Sequence, residues 1–215
     1  MKILNELNIT TNQEQLYIQA FTHTSYSNEH SESESYERLE FLGDAVLELI
    51  ISDYLYNEKH LEEGTMTKMR ASYVCETACY TYAKKLGLDQ YILLGSGEPV
   101  ANVTILADVF ESFIGAMYLD QGLEKTRKIV MDVISEYIEK KVDFLHDYKS
   151  ELQEMVQTIH KSAVYEIIDE QGPAHDRTFT CQVKVDNIIM GVGVGSSKKA
   201  AEQEAAKEAL KKQVI

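Results

Sequence analysis

The stretch Leu39-Glu40-Phe41-Leu42-Gly43-Asp44-Ala45-Val46-Leu47-Glu48-Leu49-Ile50-Ile51 decides the fold of the first two-thirds of this 215-residue chain. Apolar residues recur through it at helical spacing, and on a helix Glu37, Glu40 and Asp44 share one face. Leu47 falls on the same stripe as Glu40 and Asp44, so the predicted helix is apolar on nearly all sides. A helix of that kind belongs inside a protein. The sequence therefore predicts carboxylates in apolar surroundings, where lost hydration is costly unless a cation compensates.

A second segment, Ile105–Ala116, repeats this pattern. Asp108 and Glu111 are adjacent on one face of the predicted helix, and Ser112 and Gly115 are expected to leave room beside them. Four carboxylates from two helices are hard oxygen ligands, which Mg²⁺ and Mn²⁺ prefer. A cation held by them could activate water and orient a phosphodiester. The alternative interpretation is a solvated charged face, which is the more common one for acids at helical spacing.

Composition excludes several classes of protein. Apolar residues make up 44% of the chain, yet no run approaches the roughly 18 consecutive apolar residues of a membrane span. Residues Met1–Thr10 lack the apolar core of a secretory signal peptide. The three cysteines leave an odd one out and do not have the spacing of a zinc site. We therefore expect a reduced, cytoplasmic protein with no membrane association.

The acidic residues are distributed unevenly along the chain. The net charge of −14 argues against nucleic-acid binding by the chain as a whole. Residues 1–147 contain 12 Lys and Arg against 25 Asp and Glu, whereas residues 148–215 contain 9 against 10. Nearly all the excess acid thus lies in the first two-thirds, and the last third is compatible with a separate nucleic-acid-binding module.

The sequence predicts an all-helical domain at residues 1–146 and a small α+β domain at residues 147–215. Apolar recurrence predicts these helices in the first domain: Gln13–His23, Tyr36–Tyr56, Thr67–Leu86, Asn102–Asp120 and Glu124–Lys141. Helical and period-2 patterns predict the order α-β-β-β-α in the second: Ser150–Lys161, Val164–Asp169, Phe179–Val185, Ile188–Val194 and Ser197–Gln213.

Three stretches of the sequence carry a resemblance to a known family. Tyr36–Leu47 is similar to the signature stretch of the ribonuclease III family, and Phe21–Tyr26 and Ala107–Asp120 match further family segments in the family's order. The resemblance implies an all-α endonuclease domain followed by a double-stranded-RNA-binding domain, acting as a homodimer. It implies a hydrolase that cuts both strands of double-stranded RNA by water attack, leaves 5′-phosphate and 3′-hydroxyl ends, and processes rRNA and other structured precursors, mRNA and tRNA included. The implied cofactor is Mg²⁺, with Mn²⁺ as a substitute.

The resemblance also assigns site residues in the nuclease domain. The positions that match the family's metal ligands are Glu40, Asp44, Asp108 and Glu111. Asp44 and Glu111 match the catalytic pair. Glu37 and Glu63 resemble acids near the cleavage valley of the dimer, and Phe41 matches the aromatic residue that enters a pocket on the partner subunit. An ordinary core phenylalanine is an equally good interpretation of Phe41.

The last third resembles a double-stranded-RNA-binding domain in element order and in its RNA contacts. The matching positions are Ser150, Gln153 and Gln157 on the first helix, His175 in the Gly172–His175 loop, and Ser197, Lys198 and Lys199 at the start of the last helix. Such polar side chains meet 2′-hydroxyls, and a helix N-terminus with two ammonium groups favours phosphate. Solvated surface is the alternative for the lysine pair.

The sequence departs from the family pattern at two places. Asn102-Val103-Thr104 stands where many members carry Arg-Glu-Ser, which puts any role of that arginine in doubt but leaves the four carboxylates intact. Ser196 stands where a basic residue is common, so we expect a weaker phosphate clamp.

Two other functions are compatible with these residues. One is a non-cleaving RNA-binding or assembly protein on the same scaffold, which the retention of all four acids argues against. The other is a helical carboxylate metalloprotein acting on small phosphate compounds, which would not need residues 148–215.

Overall fold

The chain divides into two units, Met1–Leu145 and His146–Ile215, in a computed structural model that describes residues 1–59, 61–98, 100–172 and 177–212. Across those residues, we find no helix that combines the length and the apolar character needed to cross a membrane. Each unit has its own hydrophobic core.

The first unit is helical, as the sequence predicted. Its helices are α1 (Lys2–Glu6), α2 (Glu14–Ala20), α3 (Thr24–Glu29), α4 (Glu37–Lys59), α5 (Glu63–Val74), α6 (Glu76–Leu86) and α7 (Val103–Glu139), with a 3-10 turn at Leu88–Tyr91. Its core is built on fully buried aromatic and aliphatic side chains, and burying each such side chain is worth roughly 1.5–3 kcal/mol. The largest of the aromatic ones are Tyr17, Phe21, Tyr82, Phe110 and Phe113.

Two helix boundaries differ from the sequence prediction. The single helix predicted over Thr67–Leu86 is wrong, because Cys75 has an extended backbone (ψ 161°) that ends α5 and begins α6. The helix predicted over Gln13–His23 stops at Ala20, and the His23 side chain then caps α3 by accepting a hydrogen bond from the Ser25 N–H. Neither break involves glycine or proline, the residues that usually mark a helix end.

Helix α7 changes direction where the sequence placed a gap between two helices. Gly122 has a non-helical backbone with φ 77°, a conformation that glycine adopts without steric cost. Before it, Glu111 and Gly115 contact the backbone of α4, and the buried face of α7 continues after it with Ile129, Val130 and Ile134. Asp108 and Glu111 therefore lie on the segment of α7 that precedes the break.

Helices α4 and α7 cross with their backbones in contact. A Cβ atom on Gly43 would lie 1.8 Å from the Glu111 carbonyl oxygen, and one on Gly115 would lie 2.3 Å from the Leu39 carbonyl oxygen, so only glycine fits either position. Ser112 is fully buried and its Oγ donates to a carbonyl of α2 at 2.6 Å. The expectation that Ser112 and Gly115 leave room beside the acids was wrong, since both pack into the core.

The second unit has the predicted α-β-β-β-α order. Its elements are α8 (Tyr148–Gln157), β1 (Ala163–Gln171), β2 (Thr178–Val185), β3 (Ile188–Gly195) and α9 (Lys198–Lys211). The strands form an antiparallel sheet in the order β1-β2-β3, with the Asp186-Asn187 turn between β2 and β3 at φ 50° and 62°. Two residues with positive φ are typical of the tight hairpin whose twist matches the strands. Alanines of α9 pack directly on Gly191 and Gly193 of β3.

Candidate metal centre and RNA-binding surface

Helix α4 presents two acids toward α7. Glu40 is partly buried, and burial raises the pKa of its carboxyl to about 7, with further contributions from the charges of Asp108, Glu37 and Asp44. Asp44 lies one turn further along and is exposed. The prediction that the carboxylates of this helix face lie in apolar surroundings was therefore wrong for Asp44 and for Glu37, which are both exposed in the single chain.

Helix α7 presents the other two acids. Burial raises the pKa of Asp108, which also accepts a hydrogen bond from the Tyr36 hydroxyl at Oδ2 (3.2 Å). Burial also raises the pKa of Glu111 to about 8, and the charge of Asp44 raises it further. The thiol of Cys79 donates to Glu111 Oε1 at 3.5 Å. Asp108 and Glu111 thus each accept a hydrogen bond from an uncharged side chain outside α7.

Neighbouring acids raise the pKa of two of the four carboxylates, Glu40 and Glu111. Asp108 and Asp44 raise the pKa of Glu40, and Asp44, Glu40 and Asp108 raise that of Glu111. Like charges gathered in this way favour a bound cation.

The four carboxylates are the type of ligand that a divalent metal ion prefers, but in the structure their side chains do not converge on one point. Among the residues that the structure describes, no group of three or more His, Cys, Asp or Glu side chains has the arrangement that would hold a metal ion. Asp44 and Asp108 nevertheless lie near enough to Glu40 and Glu111 for their charges to raise the pKa of both. Carboxylate oxygen is the ligand that Mg²⁺ and Mn²⁺ prefer, so the residues present fit such an ion in their chemistry.

Glu37 and Glu63, the two acids that the resemblance placed near the cleavage valley, have different surroundings. Glu37 begins α4, accepts a hydrogen bond from the Thr24 hydroxyl at 3.1 Å and raises the pKa of Glu40, so it lies beside the cluster. Glu63 begins α5 and is exposed, and it lines a cavity of about 500 Å³ together with Leu49 and other residues of α4 and α5. The structure therefore does not bring Glu63 to the four acids within this chain.

Two neighbours of the acids were not found from the sequence, namely Tyr36 and Cys79. Tyr36 precedes α4 and is 3% exposed, and Cys79 lies fully buried on α6. Tyr36 is 72 residues away from its acceptor Asp108 in the chain, and Cys79 is 32 residues away from Glu111. Apolar periodicity carries no signal of such long-range hydrogen bonds.

Phe41 is not a core residue. It is 83% exposed on α4, and two other apolar side chains of the same helix, Leu49 (51%) and Tyr56 (71%), are also exposed. The core interpretation of Phe41 is therefore wrong. Leu49 and Tyr56 both line the 500 Å³ cavity that Glu63 also lines. Exposed apolar side chains next to a cavity are typical of a protein–protein contact surface.

On α8, the three positions expected to contact RNA have different roles within the fold. The Ser150 hydroxyl donates to Asp147 at 2.7 Å, which leaves its oxygen able to accept from a 2′-hydroxyl. Gln153 is partly buried, and its Oε1 accepts the N–H of Ala163, so it ties α8 to β1. Gln157 is exposed in the last turn.

The N-terminus of α9 has the features of a phosphate-binding end. Ser197 is the N-cap and its hydroxyl accepts the Ala200 N–H at 3.1 Å, while Lys198 and Lys199 are both exposed. The ammonium group of Lys198 lies 5.8 Å from the centre of the Phe179 ring. His175, also expected to contact RNA, lies outside the described residues.

The Asn102-Val103-Thr104 departure has a structural role of its own. The Asn102 side chain caps α7 by accepting the Ile105 N–H at 2.9 Å, and the Thr104 hydroxyl donates to Glu76 at 3.2 Å. These residues therefore start the helix that carries Asp108.

Two family models match the chain, and they match its two units. The model described as Ribonuclease-III-like matches residues 13–138, and the model described as Double-stranded RNA binding motif matches residues 148–213. The chain belongs to the ribonuclease III family.

Individual members of the ribonuclease III family are similar over nearly the whole chain. Ribonuclease 3 of Bacillus cereus strain G9842 is 48% identical over 98% of this chain and 90% of its own length. Ribonuclease 3 of Bacillus anthracis strain CDC 684 is 47% identical over 96% of this chain and 88% of its own. The solved nuclease domain of ribonuclease III from Campylobacter jejuni superposes with a TM-score of 0.58 at 34% identity, covering 63% of this chain and 95% of that domain.

Proposed function

We propose that this chain is a divalent-metal-dependent endoribonuclease that hydrolyses phosphodiester bonds in both strands of double-stranded RNA, leaving 5′-phosphate and 3′-hydroxyl ends. The observation that carries the proposal is the group of acids on α4 and α7, two helices in backbone contact: the charges of Asp44 and Asp108 act on both Glu40 and Glu111 and raise the pKa of each. The family and its double-stranded RNA binding motif support the substrate. We assign Mg²⁺ as the ion, with Mn²⁺ as a substitute, and processing of rRNA and other structured precursor RNAs in the cytoplasm as the cellular role.

The chain's own contribution is to carry the four carboxylates on two helices whose backbones are in contact. We assign catalysis to Asp44 and Glu111, and metal binding to these two with Glu40 and Asp108. When bound, Mg²⁺ supplies a Lewis acid that favours deprotonation of water and neutralises charge developing on the phosphodiester. The glycine contacts between α4 and α7 fix the spacing of the two helices from which the carboxylates project.

A divalent cation between α4 and α7 would offset the negative charge of the neighbouring acids, which contributes to the raised pKa values of Glu40 and Glu111.

We also propose that the active form is a homodimer joined through the exposed face of α4. Phe41 is 83% exposed, which is costly for a phenylalanine unless another surface covers it. The cavity beside Leu49 and Tyr56 is large enough for an aromatic ring, so a second copy can offer its Phe41 to it. In such a dimer Glu37 and Glu63 would line the valley that receives the RNA, and each subunit would cut one strand.

The second unit binds the RNA duplex. Ser150, Gln153 and Gln157 face the minor groove in this proposal, together with His175. Ser197 and the ammonium groups of Lys198 and Lys199 contact phosphate across the adjacent major groove. These contacts carry no base information, so recognition is of the shape of the duplex.

A cleavage assay on an end-labelled RNA duplex tests the proposed reaction. The full-length protein is compared with Glu111→Gln and with Glu124→Gln, which changes an exposed acid on the same helix beyond the break at Gly122. We expect the protein and the Glu124→Gln control to cut both strands with Mg²⁺ and not with a chelator. Glu111→Gln should bind the duplex equally well but cut it about 10²–10⁴-fold more slowly.

Two results would contradict the proposal. Tight duplex binding by the unsubstituted protein with no product at saturating Mg²⁺ would support a non-cleaving RNA-binding protein. Hydrolysis of a small phosphodiester as fast as of duplex RNA would support a small-phosphate hydrolase.

A further inference from the structure

Tyr36 is held at both ends in the gap between the two acid-bearing helices. Its N–H donates to the Thr22 carbonyl at 2.9 Å, and its own carbonyl accepts the N–H groups of Leu39 and Glu40 at 2.8 and 2.9 Å. Its hydroxyl donates to Asp108 Oδ2 at 3.2 Å. One residue therefore connects the first turn of α4 to an acid of α7.

The hydrogen bond from Tyr36 determines which oxygen of Asp108 is available. A phenol has one proton to donate, and here it is directed at Oδ2. The bond restrains the carboxylate at Oδ2 and leaves Oδ1 without that partner. The ring cannot swing away, because Tyr36 is 3% exposed and packs 5.8 Å from the ring of His23. A carboxylate held in one orientation binds an ion at a lower entropic cost than one that must first be ordered.

We propose that Tyr36 is a positioning residue that orients Asp108 for the divalent cation and so sets the affinity of the site for the ion. The proposal rests on the function proposed above. Tyr36 touches neither RNA nor the reacting atoms in this scheme, so its loss should raise the metal requirement and leave the rate at saturating metal nearly unchanged.

The chain contains a matched control on the same helix. Tyr17 is fully buried, and its hydroxyl donates to Asp120 Oδ2 at 2.8 Å, twelve positions after Asp108 on α7. None of the four proposed ligands is among the groups that act on Asp120. Tyr17→Phe therefore also removes a tyrosine–aspartate hydrogen bond to α7, but one that lies away from the proposed ion site.

The test compares the full-length protein, Tyr36→Phe and Tyr17→Phe in three measurements. Binding of Mn²⁺ alone, without RNA, is followed by the electron paramagnetic resonance signal of free Mn²⁺. Duplex cleavage is measured as a function of Mg²⁺ concentration, and thermal unfolding is measured in chelator. Both variants keep the aromatic ring, so we expect similar losses in melting temperature, of about 2–4 °C.

The variants should differ in their response to metal. Tyr36→Phe should bind Mn²⁺ about 10-fold more weakly and need about 10-fold more Mg²⁺ for half-maximal cleavage, with a saturating rate within about two-fold of the unsubstituted protein. Tyr17→Phe should match the unsubstituted protein in both respects. Equal Mn²⁺ affinity in the two variants, or a rate deficit in Tyr36→Phe that excess Mg²⁺ does not restore, would overturn the proposal.

The same data separate this proposal from the one on which it rests. If the unsubstituted protein neither binds Mn²⁺ nor cleaves, the metal-dependent function itself fails, and the role of Tyr36 fails with it. If it binds and cleaves while Tyr36→Phe is indistinguishable from Tyr17→Phe, only the positioning role is refuted.

Discussion

Replacing Glu111 by glutamine should stabilise the metal-free protein, and it should do so more at high pH than at low pH. Burial and the charge of Asp44 raise the pKa of Glu111 from the ordinary 4.5 to about 8. Between these two values the folded protein keeps a proton that the unfolded chain has released. Unfolding is therefore favoured progressively as the pH rises from about 4.5 to about 8, and the loss of stability is complete above that window.

The size of the effect follows from the same pKa difference. At about 1.4 kcal/mol per pH unit, the rise in pKa corresponds to at most roughly 5 kcal/mol. Glu111 is partly accessible to solvent, which screens the charge, so we expect about 1–2 kcal/mol. Glutamine has nearly the same shape, does not ionise, and can still accept the hydrogen bond from Cys79 at its Oε1.

Calorimetric unfolding in chelator, from pH 5 to pH 8.5, measures this effect on the transition of the first unit. We expect Glu111→Gln to match the unsubstituted protein at pH 5 and to melt about 3–8 °C higher at pH 8.5. The exposed-acid control Glu124→Gln should show no such trend. Addition of Mg²⁺ should abolish the advantage, because the ion stabilises only the carboxylate form. An advantage that is the same at every pH, or that grows as the pH falls, would refute the electrostatic explanation.

Three further substitutions test the α4–α7 helix crossing, the exposed face of α4 and the RNA contacts of α9. Gly43→Ala should destabilise the first unit by about 3 kcal/mol or more, because its Cβ would lie 1.8 Å from the Glu111 carbonyl oxygen. Gly64→Ala is the control and should be neutral or slightly stabilising, because a Cβ there has nothing within 4 Å. Equal melting temperatures of the two variants would contradict the backbone contact. Phe41→Asp should weaken self-association, measured by analytical ultracentrifugation, and leave the helical content unchanged by circular dichroism. A dimer of unaltered affinity would exclude this face of α4 as the dimer interface. Lys198→Ala with Lys199→Ala should weaken binding to all duplex sequences alike and lower the salt slope by about 2, so a loss limited to particular sequences would argue against phosphate contacts.

The helices were predictable because they depend on local pattern. Acids within an apolar stretch of helical period singled out Glu40, Asp44, Asp108 and Glu111, and their role as metal ligands stays a prediction. Burial and neighbouring charge raise the pKa of Glu40 to about 7 and that of Glu111 to about 8. The exposure of Asp44 was not predictable. Periodicity says which residues share a face of a helix, but the neighbouring elements decide which face is covered.

Phe41 illustrates the same limit for apolar residues. A phenylalanine in an apolar helix is equally suited to a core and to a contact surface, since both remove it from water. Only the packing of α4 against α7 through Gly43 and Gly115 determines that Phe41 lies on the opposite, exposed side. The division at Cys75 was missed for a related reason, because the extended backbone there has no glycine or proline to signal it.

The second unit was predicted more closely. Its strands alternate with period 2, and the Asp186-Asn187 turn fixes the register between β2 and β3. The hydrogen bond that Gln153 accepts from the Ala163 N–H was not predictable, because the pattern of polar residues on a helix does not show which of them also reaches a neighbouring strand.

The contact at Gly43 and Gly115 also has a consequence for internal motion. Helices whose main chains touch cannot separate a little at a time, so they open only when a large part of the core opens with them. The amides around this crossing should then be among the slowest in the molecule to exchange their hydrogens for deuterium. The helix crossing beneath the acids should therefore keep its geometry when a ligand binds.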